Sequence, residues 1–158
     1  MDSESFLRTV AQVSELATIR RFVEARATAL GAGAGAVGEL MVAVDEIVTN
    51  TIVHGYAGRA GAIEITVAHA GELPPCKGSH APAGDTKPAR HGLEVRIVDD
   101  APPFDPTGRP APNLSVPLEQ RKPGGLGLHL TRSFTDEMLY CVRPQGGNEI
   151  RLVKWMSE

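Results

Sequence analysis

Three residues in the segment 37–56 have types and a spacing that could do chemistry together. Glu46, Asn50 and His54 recur at every fourth position, so they form one ridge if the segment is a helix. The segment holds no Lys or Arg, although an ordinary solvated helix face is covered with them. A carboxylate beside an amide oxygen suits a hard cation such as Mg²⁺, and His54 could donate to a phosphate. The ridge therefore indicates the wall of a covered pocket; the alternative is the wet side of an amphipathic helix.

Two later stretches converge on the same chemistry. Asp99 ends an alternating apolar run and precedes a Pro-rich turn. Its carboxylate could accept from an exocyclic amino group at the end of a sheet, although Asp before such a turn is also common turn chemistry. The run GGLGL at residues 124–128 lets the backbone approach closely at a helix N-terminus, where free N–H groups and the helix dipole favour phosphate. Neither stretch is specific by itself.

The elements that must position these residues follow from hydrophobic periodicity. Alternation at period two predicts strands over residues 62–69 and 93–100, and a first strand and two closing strands are predicted over 5–13, 137–143 and 148–155. Apolar spacing predicts helices after Ser14, over 37–56 and after the glycines at 124–127. This order predicts a single α+β domain spanning residues 1–158. Its helices would lie on one face of a mostly antiparallel mixed sheet, as a two-layer α/β sandwich.

Two stretches rich in Gly and Pro interrupt the pattern. Residues 71–92 offer too little apolar surface to order well and are predicted to be a flexible insertion, either inert or an interaction appendage. Residues 104–124 form a long connection of the kind that serves as a lid. Cys76 and Cys141 show no CxxC pattern, so neither a zinc knuckle nor a disulfide framework is predicted. Possible ligands in and beside the insertion fit no common metal spacing: His69, Cys76, His80, Asp85 and His91.

Composition excludes several classes of protein. The formal net charge is -3 and the pI is about 6.0, and no basic stripe is present, so a nucleic-acid partner is not expected. No apolar run is long enough to cross a bilayer, and the acidic start lacks the order of a signal peptide. We therefore expect a cytoplasmic protein with no membrane partner.

Taken in chain order, the motifs resemble the ATP-binding (Bergerat) fold shared by gyrase, Hsp90, histidine kinases and the mismatch-repair protein of the MutL type. DEIVTNTIVHGY resembles the N box, DDAPPFDP the first glycine box and GGLGLHLTRSFTDEM the second, and NEIRLVKW is similar to the last strand. The closer resemblance is to the small anti-sigma-factor serine kinases of bacterial partner switching. It covers nearly the whole chain outside residues 71–92. The Walker A pattern of P-loop proteins is absent.

This resemblance implies an ATP- and Mg²⁺-dependent protein serine kinase. Such a protein phosphorylates a STAS-domain anti-sigma factor antagonist, sequesters a sigma factor or similar client, and forms a homodimer. The resemblance also implies that Glu46 is the general base, that Asn50 is the Mg²⁺ ligand and that Asp99 binds adenine. The residues implied to bind nucleotide are Asn50, His54, Asp99, Ala101, Phe104, Gly124, Gly125, Leu126, Gly127 and Leu128.

One departure from the family pattern bears on ATP affinity. Where the family has Asp-x-Gly, this chain has Asp99-Asp100-Ala101. If that position requires a positive φ, the added Cβ costs about 1–2 kcal/mol. The alternative function is therefore a non-catalytic ATP-binding module that acts by sequestration only. The catalytic half of a histidine kinase is disfavoured, because the chain lacks a long dimerisation helix pair with a phospho-acceptor histidine.

Overall fold

The structure, a computed structural model, describes residues 5–76, 91–107, 115–117, 119 and 126–157. Within these ranges the chain forms five strands and three α-helices. The strands are β1 (Phe6–Val10), β2 (Ala62–His69), β3 (Gly92–Asp99), β4 (Glu137–Val142) and β5 (Asn148–Trp155), and the helices are α1 (Leu16–Ala29), α2 (Ala34–Asn50) and α3 (Leu126–Phe134). No helix in the described ranges is long and apolar enough to cross a membrane.

The five strands form one sheet in the order β1-β2-β3-β5-β4, and every described pairing is antiparallel. Asp99 lies opposite Ile63 of β2 and Asn148 of β5. The C-terminal end of β3 therefore meets the N-terminal ends of both neighbouring strands. A polar group at that end of β3 faces the start of β5 directly.

The helices cover one face of this sheet, because alternate residues of each strand are apolar and point the same way. The fully buried side chains of this interface are Ile19, Val23, Leu40 and Val48 from the helices and Ile63, Ile65, Val67, Leu93, Val95, Ile97 and Leu152 from the strands. Burying such a side chain contributes about 1.5–3 kcal/mol. The predicted α+β two-layer sandwich is confirmed.

The segment predicted to be one helix over residues 37–56 is longer and contains two kinds of turn. α2 begins after Gly33 and ends at Asn50, and the chain continues as a π turn over Thr51–Tyr56. A π turn closes hydrogen bonds over five residues rather than four, so side chains beyond Asn50 leave the α-helical phase. Ala57 then ends the helix in the left-handed conformation, with φ of 50°.

The first helix also begins differently from the prediction. Residues Val13–Glu15 form a 3₁₀ turn, and Glu15 rather than Ser14 occupies the N-cap position of α1. No side-chain cap hydrogen bond is present at either start. The helix predicted to follow Ser14 therefore starts later, because Ser14 lies within the 3₁₀ turn and α1 begins at Leu16.

The opposite face of the sheet carries a buried network of charges. Arg151 Nη1 donates to Glu94 Oε1 over 2.9 Å, and Arg151 Nε donates to Glu149 Oε1 over 2.7 Å. Arg96 Nη2 also donates to Glu149, over 3.2 Å. Burial alone would raise the pKa of Glu149, but the hydrogen bonds from Arg96 and Arg151 outweigh it and hold that pKa below its usual value.

The start of the predicted insertion packs over this network. Gly71 N–H donates to Glu94 Oε2 over 3.3 Å, and Arg151 Nη2 donates to the carbonyl oxygen of Pro74. Cys76 and Cys141 form a disulfide, with their Cα atoms 6.5 Å apart. The prediction that no disulfide is present was therefore wrong: β4 lies beside β5 and brings Cys141 to the insertion. Residues 77–90 lie outside the described ranges, as does most of the predicted lid at 104–124.

Candidate active site

Packing of α3 against α2 brings Glu46 to the first turn of α3. A Cβ added to Gly127 would lie 2.8 Å from Glu46 Cδ and closer still to Oε2, so the carboxylate rests directly on the backbone there. Glu46 is half-buried, and no hydrogen bond or ion pair to it is found within the described residues. The carboxylate also stands at a helix N-terminus, where free N–H groups favour anions.

Asn50 follows Glu46 one turn later on α2, and it too is half-buried without a hydrogen bond among the described residues. A carboxylate and an amide oxygen are the donor types that Mg²⁺ accepts, together with water and phosphate. The donor set thus fits the cation. His54 is exposed and lies in the π turn, so the ridge predicted from α-helical spacing ends at Asn50. A contact of His54 with phosphate stays a prediction.

Asp99 supplies a buried carboxylate at the end of β3, with 2% of its surface exposed. Its Oδ1 accepts from Ala101 N–H over 2.9 Å and from Asn148 Nδ2 over 2.8 Å. Burial raises the pKa of Asp99, and the charge of Asp100 adds to this, whereas the two hydrogen bonds and Arg143 oppose it. Both hydrogen bonds use Oδ1, and Oδ2 has no partner in the described ranges. Oδ2 is the acceptor that a bound base could use.

Ala101 sits beside Asp99 without backbone strain. Among the described residues, Ala57 is the only one other than glycine with a positive φ, so the penalty considered for Ala101 does not arise. Ala101 is 2% exposed, and a Cβ added to Gly55 would lie 3.1 Å from its Cβ. Gly55 in the π turn therefore leaves the space that the methyl group of Ala101 fills.

Asn148, at the start of β5, was not predicted from the sequence. Its Nδ2 lies 2.8 Å from Asp99 Oδ1, 3.3 Å from Ala101 O and 3.1 Å from Pro102 O. Its Oδ1 accepts from Phe104 N–H over 2.9 Å and from Tyr140 Oη over 2.7 Å. One amide thus joins the carboxylate to the backbone that follows it. In the sequence, a Gly-Asn pair at the start of an alternating strand is only a weak signal of a functional residue. The role of Asn148 becomes visible through the pairing of β3 with β5, which places it opposite Asp99.

Tyr56 and Arg143 brace the turn that carries Asp99. Tyr56 Oη donates to Ala62 O over 2.6 Å and accepts from Asp100 N–H over 2.9 Å. Arg143 Nη1 donates to Asp100 Oδ1 over 2.8 Å and to Asp99 O over 3.2 Å. Gly147 has a φ of 91°, and a Cβ there would lie 2.9 Å from Asp100 Cα and closer still to Asp99 O. Only glycine fits this close approach.

The remaining predicted residues, those of the second glycine box, are described only in part. Leu128 is buried in the core, and α3 begins at Leu126. Arg132 of α3 donates to the carbonyl oxygens of Pro106 and Thr107 over 3.0 and 2.8 Å, which ties α3 to the segment after Asp99. Gly124 and Gly125 lie outside the described ranges, so their contact with phosphate stays a prediction.

Comparison with protein families matches residues 9–154 to the histidine kinase-like ATPase domain. The chain belongs to this family. The match covers the N box, both glycine boxes and most of the last strand, so the resemblance predicted from those motifs is confirmed. Membership makes the chain an ATP-binding domain of the kinase-like ATPase type.

The chain is similar to a curated protein and to a solved structure. The serine/threonine-protein kinase BtrW of Bordetella bronchiseptica is 27% identical over 114 residues, which cover 72% of this chain and 66% of BtrW. The chain thus spans slightly less than two thirds of that relative's length. The structure of the RsbU and RsbW domains of Rv1364c from Mycobacterium tuberculosis aligns with a TM-score of 0.57 and 17% identity. The alignment covers 97% of this chain and 33% of the Mycobacterium tuberculosis chain. At 17% identity the likeness shows the fold alone.

Proposed function

We propose that the chain is an ATP- and Mg²⁺-dependent protein serine kinase of bacterial partner switching. It would act in the cytoplasm as a homodimer, phosphorylate a serine on a STAS-domain anti-sigma factor antagonist, and sequester a sigma factor or similar client. The kinase relative BtrW supports this proposal, and the likeness to a structure with an RsbW domain supports the fold that it requires. The observation that carries it is the Glu46 carboxylate resting on Gly127 at the start of α3, with no hydrogen bond or ion pair to another described residue.

Asp99 holds the nucleotide base in this proposal. Its Oδ2 accepts from the exocyclic amino group of adenine, while Oδ1 stays bonded to Asn148 and Ala101. The N-terminal turn of α3 offers backbone N–H groups to the phosphates. Asn50 would hold Mg²⁺, which supplies neutralisation of the phosphate charge when bound.

Glu46 acts as general base in the transfer step. It accepts the proton of the serine hydroxyl as the serine oxygen forms a bond to the γ-phosphorus of ATP. The bond from that phosphorus to the β,γ-bridging oxygen breaks, and ADP leaves with the bonding pair. Glu46 suits this role because no described group neutralises or occupies its carboxylate.

A non-catalytic ATP-binding module is the second candidate, since sequestration needs nucleotide binding without turnover. Its main support was the supposed strain at Ala101, and the backbone there has no positive φ. The two candidates make the same prediction for binding and opposite predictions for transfer.

Two variants of α2 test the assignment. Asn50→Ala should weaken Mg-ATP binding in calorimetry, because the cation loses a fixed oxygen. Glu46→Gln should keep most of that binding while phosphorylation of a STAS-domain protein falls by about 10²-fold or more.

Asp45→Asn is the matched control, since Asp45 precedes Glu46 on the same helix and pairs with Arg20 on α1 instead, over 2.9 Å. This variant should phosphorylate at the parent rate. Normal transfer by Glu46→Gln would remove the base assignment. A parent that binds Mg-ATP but transfers phosphate to no STAS-domain protein would establish the binding module.

A further inference from the structure

The Asn148 amide is the least expected feature of the candidate site, and its orientation is fixed by its surroundings. Nδ2 faces three acceptors, namely the Asp99 carboxylate and the carbonyl oxygens of Ala101 and Pro102. Oδ1 faces two donors, Phe104 N–H and Tyr140 O–H. A flipped amide would set its oxygen against the three acceptors and its NH₂ against the two donors. The side chain therefore presents its NH₂ group to Asp99.

This orientation decides which part of Asp99 remains for a ligand. Asn148 and Ala101 both bond to Oδ1, so the carboxylate is turned with Oδ1 toward β5 and Oδ2 away from it. The NH₂ group also favours the ionised carboxylate, because it can only donate. An ionised Oδ2 accepts hydrogen bonds and donates none. It matches a base with an amino group and opposes a base with a carbonyl group at the same position.

We infer that Asn148 is a specificity-determining residue, which makes the site select a 6-amino purine over a 6-oxo purine by orienting Asp99 and keeping it an acceptor. The inference rests on the proposed nucleotide site. Asn148 acts through Asp99 and does not itself take part in phosphoryl transfer. Because the same amide holds Phe104 N–H, it also fixes the backbone on which the base would rest.

Asn148→Asp changes the charge beside Asp99 at nearly constant shape. It places a second carboxylate oxygen about where Nδ2 lies, 2.8 Å from Asp99 Oδ1. Two carboxylates at that separation share a proton, because like charges so close cannot both ionise. The shared proton lies between the two side chains and removes part of the negative charge of Asp99, so Oδ2 becomes a weaker acceptor for an amino group. Asn148→Ser removes the NH₂ group without adding charge and loosens Asp99 instead.

The experiment compares the dissociation constants of Mg-ATP and Mg-ITP by calorimetry. ITP carries an oxo group in place of the 6-amino group of ATP, and its N1 consequently bears a hydrogen where N1 of ATP is an acceptor. The parent should bind ATP more tightly, and the ratio of the two constants should shrink about tenfold or more in Asn148→Asp and Asn148→Ser, the scale of one hydrogen bond to a charged group. Ile150→Val on the same strand is the control for packing, since Ile150 is buried beside the core and bonds to none of these groups.

Each outcome bears on one statement. A parent that binds neither nucleotide refutes the proposed function. A parent that binds both equally, or variants that lose affinity for ATP and ITP in the same proportion, refutes the role of Asn148 in selectivity and leaves it a structural residue. If Asn148→Asp fails to fold by circular dichroism, Asn148→Ser decides the question alone.

Discussion

Gly127→Ala should separate catalysis from stability, because the three atoms nearest to the added methyl group all belong to the flexible side chain of Glu46. Its Cβ would overlap the Glu46 carboxylate, 2.8 Å from Cδ, so Glu46 must leave its present rotamer. Such a change costs about 0.5–1.5 kcal/mol. Replacing glycine by alanine inside a helix recovers about 1 kcal/mol. The two terms nearly cancel, and we expect a melting temperature within a few degrees of the parent.

The effect on phosphoryl transfer should be much larger. Moving a reacting group by about 1 Å can cost about 10²-fold, and losing a positioned base costs about 10²–10⁴-fold. Phosphorylation of a STAS-domain protein by Gly127→Ala should therefore fall by about 10²-fold, which corresponds to roughly 2.7 kcal/mol in the barrier. A phosphorylation time course beside a thermal melt measures both quantities on one preparation.

Two further variants make the reasoning refutable. Gly38→Ala adds the same methyl group to α2, where a Cβ meets nothing within 4 Å, and it should transfer phosphate at the parent rate. In the Gly127→Ala background, Glu46→Asp shortens the obstructed side chain by one methylene and should recover part of the rate. Transfer at the parent rate by Gly127→Ala itself would show that the position of Glu46 in the structure is irrelevant to catalysis.

Three other predictions concern binding and stability. Asp99→Asn should weaken Mg-ATP binding in calorimetry and raise the melting temperature at pH 7. Burial raises the pKa of Asp99 in the folded state, so the charge of this carboxylate opposes folding above that pKa. A lower melting temperature for this variant would contradict the argument. For Glu149 the effect of charge on stability is the opposite, because its pKa is lowered in the folded state. The ionised carboxylate therefore adds stability above about pH 4, and this stability is lost as the pH falls further. The urea midpoint should drop more steeply with falling pH for the parent than for Glu149→Gln, and an equal drop in both proteins would refute the assignment. Reducing the Cys76–Cys141 disulfide, or Cys141→Ser, should lower the unfolding free energy by roughly 2–4 kcal/mol in urea titrations, and an unchanged midpoint would show that the disulfide does not constrain the chain.

The sheet and its neighbours were predictable because their signal is local. The alternation at residues 62–69 matches β2, which spans Ala62–His69, and the prediction for β3 differs by one residue at each end. The motifs around Glu46, Asp99 and Gly127 could be placed on elements for the same reason. Turn type was not predictable, since an apolar stripe has nearly the same spacing in an α-helix and in one π turn, and the exposure of His54 follows from that difference.

The long-range contacts could not be read from one sequence. Asn148 reaches Asp99 across 49 residues, and Cys141 reaches Cys76 across 65. Both pairs depend on β5 lying between β3 and β4. The packing of the start of the insertion could not be predicted from its composition either. Gly71 and Pro74 bind Glu94 and Arg151 through backbone groups, and a pattern of side chains does not reveal such contacts.

The Cys76–Cys141 disulfide changes the covalent connectivity of the molecule. A peptide bond cut within residues 77–90 would produce two fragments, and a single sulfur bridge would keep them one molecule. The first fragment would hold α2 with Glu46 and Asn50, and the second would hold Asp99 and α3. After reduction, the two pieces would be held together by non-covalent contacts, among them the antiparallel hydrogen bonds of β2 with β3 and those of Tyr56 with Asp100 and of Gly71 with Glu94. The candidate active site is therefore divided between two halves of the chain, and each half by itself lacks the groups that the other supplies.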